Sequence, residues 1–140
     1  MAVSAVNIFI IFYEERLVVN IMFEQDYVMR MIKSLVKFLA KTLLKKDSTT
    51  YELSDEERYT KTDYLHKQIV RMIEQGKINE AENLLYEKID SKNEKYIELA
   101  LDFYERLNNL DDEFLEKSNF PRAEIEQGLK DIAKEFGISI

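Results

Sequence analysis

Apolar residues recur at spacings of three and four along most of the chain, which predicts five to six amphipathic helices. The first covers about Phe23 to Lys46, with Tyr27, Val28, Met31, Ile32, Leu35, Val36, Phe38 and Leu39 on its apolar stripe. A second is predicted from about Thr60 to Gln75, burying Tyr64, Leu65, Ile69, Met72 and Ile73. A third runs from Glu80 to Ile89 on Ala81, Leu84, Leu85 and Ile89. A fourth reaches about Asn108 through Tyr96, Ile97, Ala100, Leu101, Phe103, Tyr104 and Leu107. A short helix with Phe114 and Leu115 follows, and a last one runs from Pro121 to Gly137 on Ile125, Leu129, Ile132, Ala133 and Phe136.

The polar residues between these stripes supply stops and starts. Gly76 suits the left-handed residue that closes a helix, and Ala81 is small enough for two axes to approach closely. Asn79 is expected to cap the next helix in a capping box with Glu82, and Ser54 with Glu57 and Ser91 with Glu94 have the same spacing. Asp111 is expected to cap the short helix, and Pro121 fits a first turn, where a missing N–H costs nothing. Gly128 lies inside the last apolar pattern, where glycine weakens a helix, and so predicts a close helix crossing. Residues 47–58 break the periodicity and read as a loop.

Residues 1–21 behave differently. Val3 to Tyr13 is a β-branched apolar run, too short to span a bilayer and without the basic start and small-residue cleavage site of a secretory signal. With Met22 directly before the first well-patterned helix, the expectation is a single domain over 22–140. Residues 1–21 are then either an extension created by start-site choice or an accessory strand or helix.

Composition narrows the class. Three glycines and one proline in 140 residues are too few for a strand protein with its many turns, so the fold class is all-α. The absence of cysteine excludes disulfides, thiolate zinc sites and cysteine nucleophiles, and suits a reducing cytoplasm. The net charge of −7 is uneven: residues 23–46 carry six basic side chains against Glu24 and Asp26, so the remainder is strongly acidic. An acidic body argues against nucleic acid as a partner, since phosphate neutralisation supplies most of that affinity. Within the first helix, Arg30, Lys33, Lys37, Lys41 and Lys45 form a line opposite the apolar stripe. Lys33, Lys37 and Lys41 are therefore candidates for an oligomer face or an anionic membrane surface, against the plainer reading of solvated lysines on a core helix.

Gly76-Lys77-Ile78-Asn79-Glu80-Ala81-Glu82-Asn83-Leu84-Leu85 resembles the turn and second-helix start of the tetratricopeptide family, with Ala81 in the small position and Leu85 in the large apolar one. Lys88 departs from the pattern, and the family's tryptophan and Leu-Gly signature are absent. The resemblance implies antiparallel helical hairpins behind a long N-terminal helix. From Met22 onward the chain also resembles a family of short Firmicutes proteins of unknown function, through Asp26-Tyr27-Val28-Met29-Arg30, the Gly76 turn and Phe120-Pro121-Arg122-Ala123-Glu124-Ile125. That resemblance implies a late start and carries no activity.

Candidate chemistry is sparse. His66, the one histidine, follows Asp63 by three residues, which reads as a solvated pair on one helix face, since a di-iron site needs a second acid–histidine pair and no second histidine exists. Asp111-Asp112-Glu113 is expected from helix capping rather than cation binding. The glycines are isolated, no nucleophile motif surrounds a hydroxyl, and no cofactor is implied. The expected function is a non-catalytic module that binds a protein or peptide. Tyr86, Tyr96 and Tyr104 are contact candidates whose plainer reading is core packing. The alternatives are a homodimer or larger oligomer built on the first helix, and a membrane-peripheral adaptor using the same helix.

Overall fold

The computed structural model describes Arg16 and residues 24–47, 50–55 and 58–140. The expectations for residues 1–21 lie outside the described residues, Arg16 apart. Helix α1 spans 24–39 and passes into a π-helical turn, Ala40–Leu44. It is followed by α2 (Lys61–Glu74), α3 (Ile78–Lys88), α4 (Glu94–Asn108), α5 (Asp112–Lys117) and α6 (Arg122–Glu135). The fold is all-α: six helices and no strand among the described residues. None of these helices is long and apolar enough to cross a membrane.

Local chemistry explains the boundaries. Thr60 caps α2 in a reciprocal capping box with Asp63, satisfying two N–H groups that the first turn would leave bare. Gly76, at φ 77°, turns the chain between α2 and α3, so the two pack as a hairpin. Asn93 caps α4 and Asp111 caps α5. Two expected boxes are corrected. Helix α3 begins at Ile78 with Lys77 at the cap position and no side-chain cap, so Asn79 lies inside the first turn, where its amide donates to the carbonyls of Ser118 and Asn119 at the end of α5. Asn93 rather than Ser91 starts α4, its side chain accepting from the Lys95 N–H.

The centre of the molecule is α4, which packs against α2, α6 and the end of α1. With neighbours on several sides it has no wet face through its middle, and every residue from Ile97 to Tyr104 is buried. Gly128 sets the crossing of α4 and α6: a Cβ there would lie 2.5 Å from Cζ and Oη of Tyr104. The expected close crossing is therefore present. Helix α1 contributes Ile32, Val36, Leu39 and Ala40 to the core but leaves Tyr27 63% and Phe38 49% exposed, a narrower buried stripe than the spacing predicts. Tyr64 is also exposed rather than buried, its ring edge-on to Tyr59.

Candidate functional site

The polar face of α4 is covered by the chain that connects α1 to α2. Glu98 and Asp102 lie one turn apart, so their carboxylates point the same way. Asp102 Oδ1 accepts from the Tyr51 N–H at 3.0 Å, and Glu98 Oε1 from the Glu52 N–H at 2.8 Å. Lys95 Nζ donates to the Glu52 carbonyl at 3.1 Å. Three α4 side chains thus grip an extended strap in the way a neighbouring strand would. The Tyr51 ring drives this docking: it is buried, stacked on His66 at 4.4 Å, and its hydroxyl donates to Asp63 Oδ1 at 2.8 Å.

Asp63 and His66 therefore do not form the solvated pair that their spacing predicts. Both are buried, and each serves a different partner, because the strap removes that face of α2 from water. Burial alone would raise the Asp63 carboxyl. The backbone N–H of Thr60 and the hydroxyls of Tyr51, Thr60 and Ser54 outweigh it and hold the group down at about 2. His66 Nε2 lies 3.2 Å from Asp102 Oδ2, which Arg106 Nε also approaches at 2.6 Å. Burial opposes ionisation of Asp102 too, but the bonds from His66, the Tyr51 N–H and Arg106 keep its carboxyl below the ordinary range. His66 Nδ1 is buried and has no hydrogen-bond partner among the described residues. An acid and a histidine are joined here, yet the histidine's other nitrogen meets no hydroxyl or thiol to activate.

Beside this network α2 and α4 leave a groove open. Two adjoining clefts of about 310 Å³ each share Val70, Glu74 and Arg106; one extends to Leu53 and His66, the other to Ile73 and Leu110. The lining mixes apolar residues with the charged side chains of Lys67, Arg71, Glu74 and Arg106. A larger cleft of about 600 Å³ lies between the start of α1 and α5 and α6. Its buried cation, Arg122, is engaged by Asp112, by the side chain and carbonyl of Asn108 and by the Leu110 carbonyl, so it serves to tie α4, α5 and α6 together. Asp112 is committed to that bond and Asp111 to its cap, and among the described residues no three side chains of metal-binding type converge.

The tyrosine candidates separate. Tyr104 is corrected to a core residue: it has no exposed surface, and its hydroxyl donates to Glu82 Oε2 at 2.7 Å. Burial, reinforced by the charge of Glu82, pushes the phenol well above its ordinary value. Tyr86 is half-buried, with its hydroxyl 3.4 Å from the Gly128 carbonyl, and Tyr96 is half-buried against the core. Neither borders the α2–α4 groove. Lys33, Lys37 and Lys41 are exposed on α1. The strap and its acceptors have no signal in the apolar periodicity, since an isolated tyrosine in a polar loop makes no stripe. Residues 22–137 match the model of a family of unknown function, DUF6483. The chain belongs to that family. No curated protein and no solved structure matches this DUF6483 chain.

Proposed function

We propose that this DUF6483 protein is a non-catalytic helical interaction module of the bacterial cytoplasm, holding a partner protein or peptide in the groove between α2 and α4. The observation that carries the reading is the groove itself: Val70 and Leu110, both only half-buried, line it over the buried Ile73, beside a network in which the chain's own strap occupies the carboxylates of Glu98 and Asp102. The α2–α3 hairpin, with Ala81 fully buried and a left-handed Gly76 at the turn, is compatible with a tetratricopeptide-like arrangement, in which inter-helix grooves are natural peptide sites. The strap, tied to α4 at Tyr51 and Glu52, places Leu53 on one wall of the groove in advance, which lowers the ordering cost of binding.

The alternatives built on α1 have less support. An assembly seam or a membrane-lying helix needs the apolar stripe of that helix, and Ile32, Val36 and Leu39 are already in the core. The test places a photo-crosslinking residue at Val70, at Leu110 and, as a control, at Glu87 on α3 of the full chain expressed in its native host. Crosslinks to the same protein from 70 and 110 but not from 87 are expected. Crosslinks confined to 87, or none from the groove, would overturn the reading.

A further inference from the structure

With its apolar stripe in the core, α1 turns outward a face of a different kind. Tyr27, Arg30, Ser34, Lys37, Phe38 and Lys41 all lie within one sector of the helix and all are exposed. Lys33 flanks them. A shallow cleft of about 520 Å³ runs beside Phe38 between Ser34, Lys37 and Lys41. Two large aromatic side chains left about half or more in water, with cations beside them, are unusual on a chain whose net charge is −7.

Among the described residues little of this charge is neutralised. Lys41 meets Asp47 at 3.7 Å with both side chains largely exposed, an arrangement that adds almost nothing. Lys33 and Lys37 lie within reach of the half-buried Glu105 of α4, whose carboxyl is nevertheless raised, by burial first and by Asp102 second. Among the described residues Arg30 reaches the backbone carbonyl of Asp26.

We infer that this face is a second docking surface and that its occupant is an acidic segment of a partner protein, with carboxylates against Arg30, Lys33, Lys37 and Lys41 and an apolar side chain against Phe38. Charge complementarity selects that occupant. A second copy docking the same face would set lysines against lysines, which repel. A bilayer would meet the cations but not the apolar stripe it needs, since that stripe is buried. This surface is independent of the α2–α4 groove, from which α4 separates it.

The test is selection of a displayed library of random peptides on the full chain, followed by binding of the selected peptides at low and physiological salt. Four variants are compared with the parent: Lys33→Gln/Lys37→Gln/Lys41→Gln, which places no new carboxylate against Glu105; Phe38→Ala; Val70→Glu; and Phe38→Ala with Val70→Glu. Unchanged far-UV circular dichroism establishes that each is folded. The expected result is a set of peptides rich in Asp and Glu with one or two large apolar residues. Their affinity falls at least tenfold in the triple variant, falls in Phe38→Ala, weakens with salt, and is unaltered in Val70→Glu. Peptides that are neutral or basic, or that bind the triple variant as well as the parent, would overturn the inference. So would a dimer of the full chain by light scattering that Phe38→Ala abolishes, or lysine-dependent flotation with phosphatidylglycerol vesicles without peptide binding. Peptides lost only in Val70→Glu leave the groove standing and remove this face; peptides indifferent to every variant remove both.

Discussion

A methyl group on Gly128 would stand 2.5 Å from the ring of Tyr104, which has no exposed surface and is anchored through its hydroxyl to Glu82. Two effects compete in Gly128→Ala: the helix gains about 1 kcal/mol in propensity, while overpacking a core that cannot shift costs about 1–3 kcal/mol. Tyr104 has no exposed surface to move into, so overpacking prevails, and urea denaturation is expected to show a net loss of up to about 2 kcal/mol. Asp63 gives a second residue-scale prediction. Its carboxyl, ordinarily near 3.8, is held at about 2 in the folded protein, so the unfolded chain takes up the proton first as pH falls. The stabilisation is complete above about pH 4 and disappears as pH drops toward 2. Asp63→Asn should therefore be less stable than the parent at neutral pH, and the gap should close in acid; a gap constant from pH 7 to 2 would contradict the assignment.

At the scale of elements, the strap is the part whose contribution can be separated. Tyr51→Phe keeps the ring on His66 and deletes the bond to Asp63, which Thr60 still serves; a loss of about 1.5 kcal/mol is expected. Tyr51→Ala removes the ring and should cost about 3–5 kcal/mol, with faster hydrogen exchange at the Tyr51 and Glu52 amides in both variants. The helices were legible in the sequence because a period of 3.6 is a many-residue signal, and Gly76, Asp111 and Pro121 punctuate it unambiguously. Capping was less legible: Asn79 has the right spacing to Glu82, but the end of α5 offered its amide two carbonyls and Tyr104 took the Glu82 carboxylate. The strap was not legible at all. Glu98 and Asp102, one turn apart, are indistinguishable by spacing from a solvated face, and only the path of the chain shows that their acceptors are filled by backbone from far upstream.

At the scale of the whole molecule, the charge imbalance between α1 and the rest of the chain was evident from the residues, but its use was not. Spacing alone puts Phe38 with Leu35 and Leu39 on one stripe, whereas the three-dimensional packing divides them: Leu39 is in the core and Phe38 is beside Lys37 and Lys41. A helix that satisfies the core with a narrow stripe can carry a second, unrelated surface on its back.

The distance of the strap from its acceptors has a consequence for the order of assembly. Tyr51 and Asp102 are 51 positions apart, whereas α2 and α3 meet across a tight turn. The grip on Tyr51 requires α2 and α4 to have come together, which predicts that it forms late in folding. Tyr51→Ala should leave the refolding arm of a chevron plot in place and raise the unfolding arm by nearly the whole loss of stability. On that prediction the connection between α1 and α2 is a clasp that governs the lifetime of the folded protein more than its speed of formation.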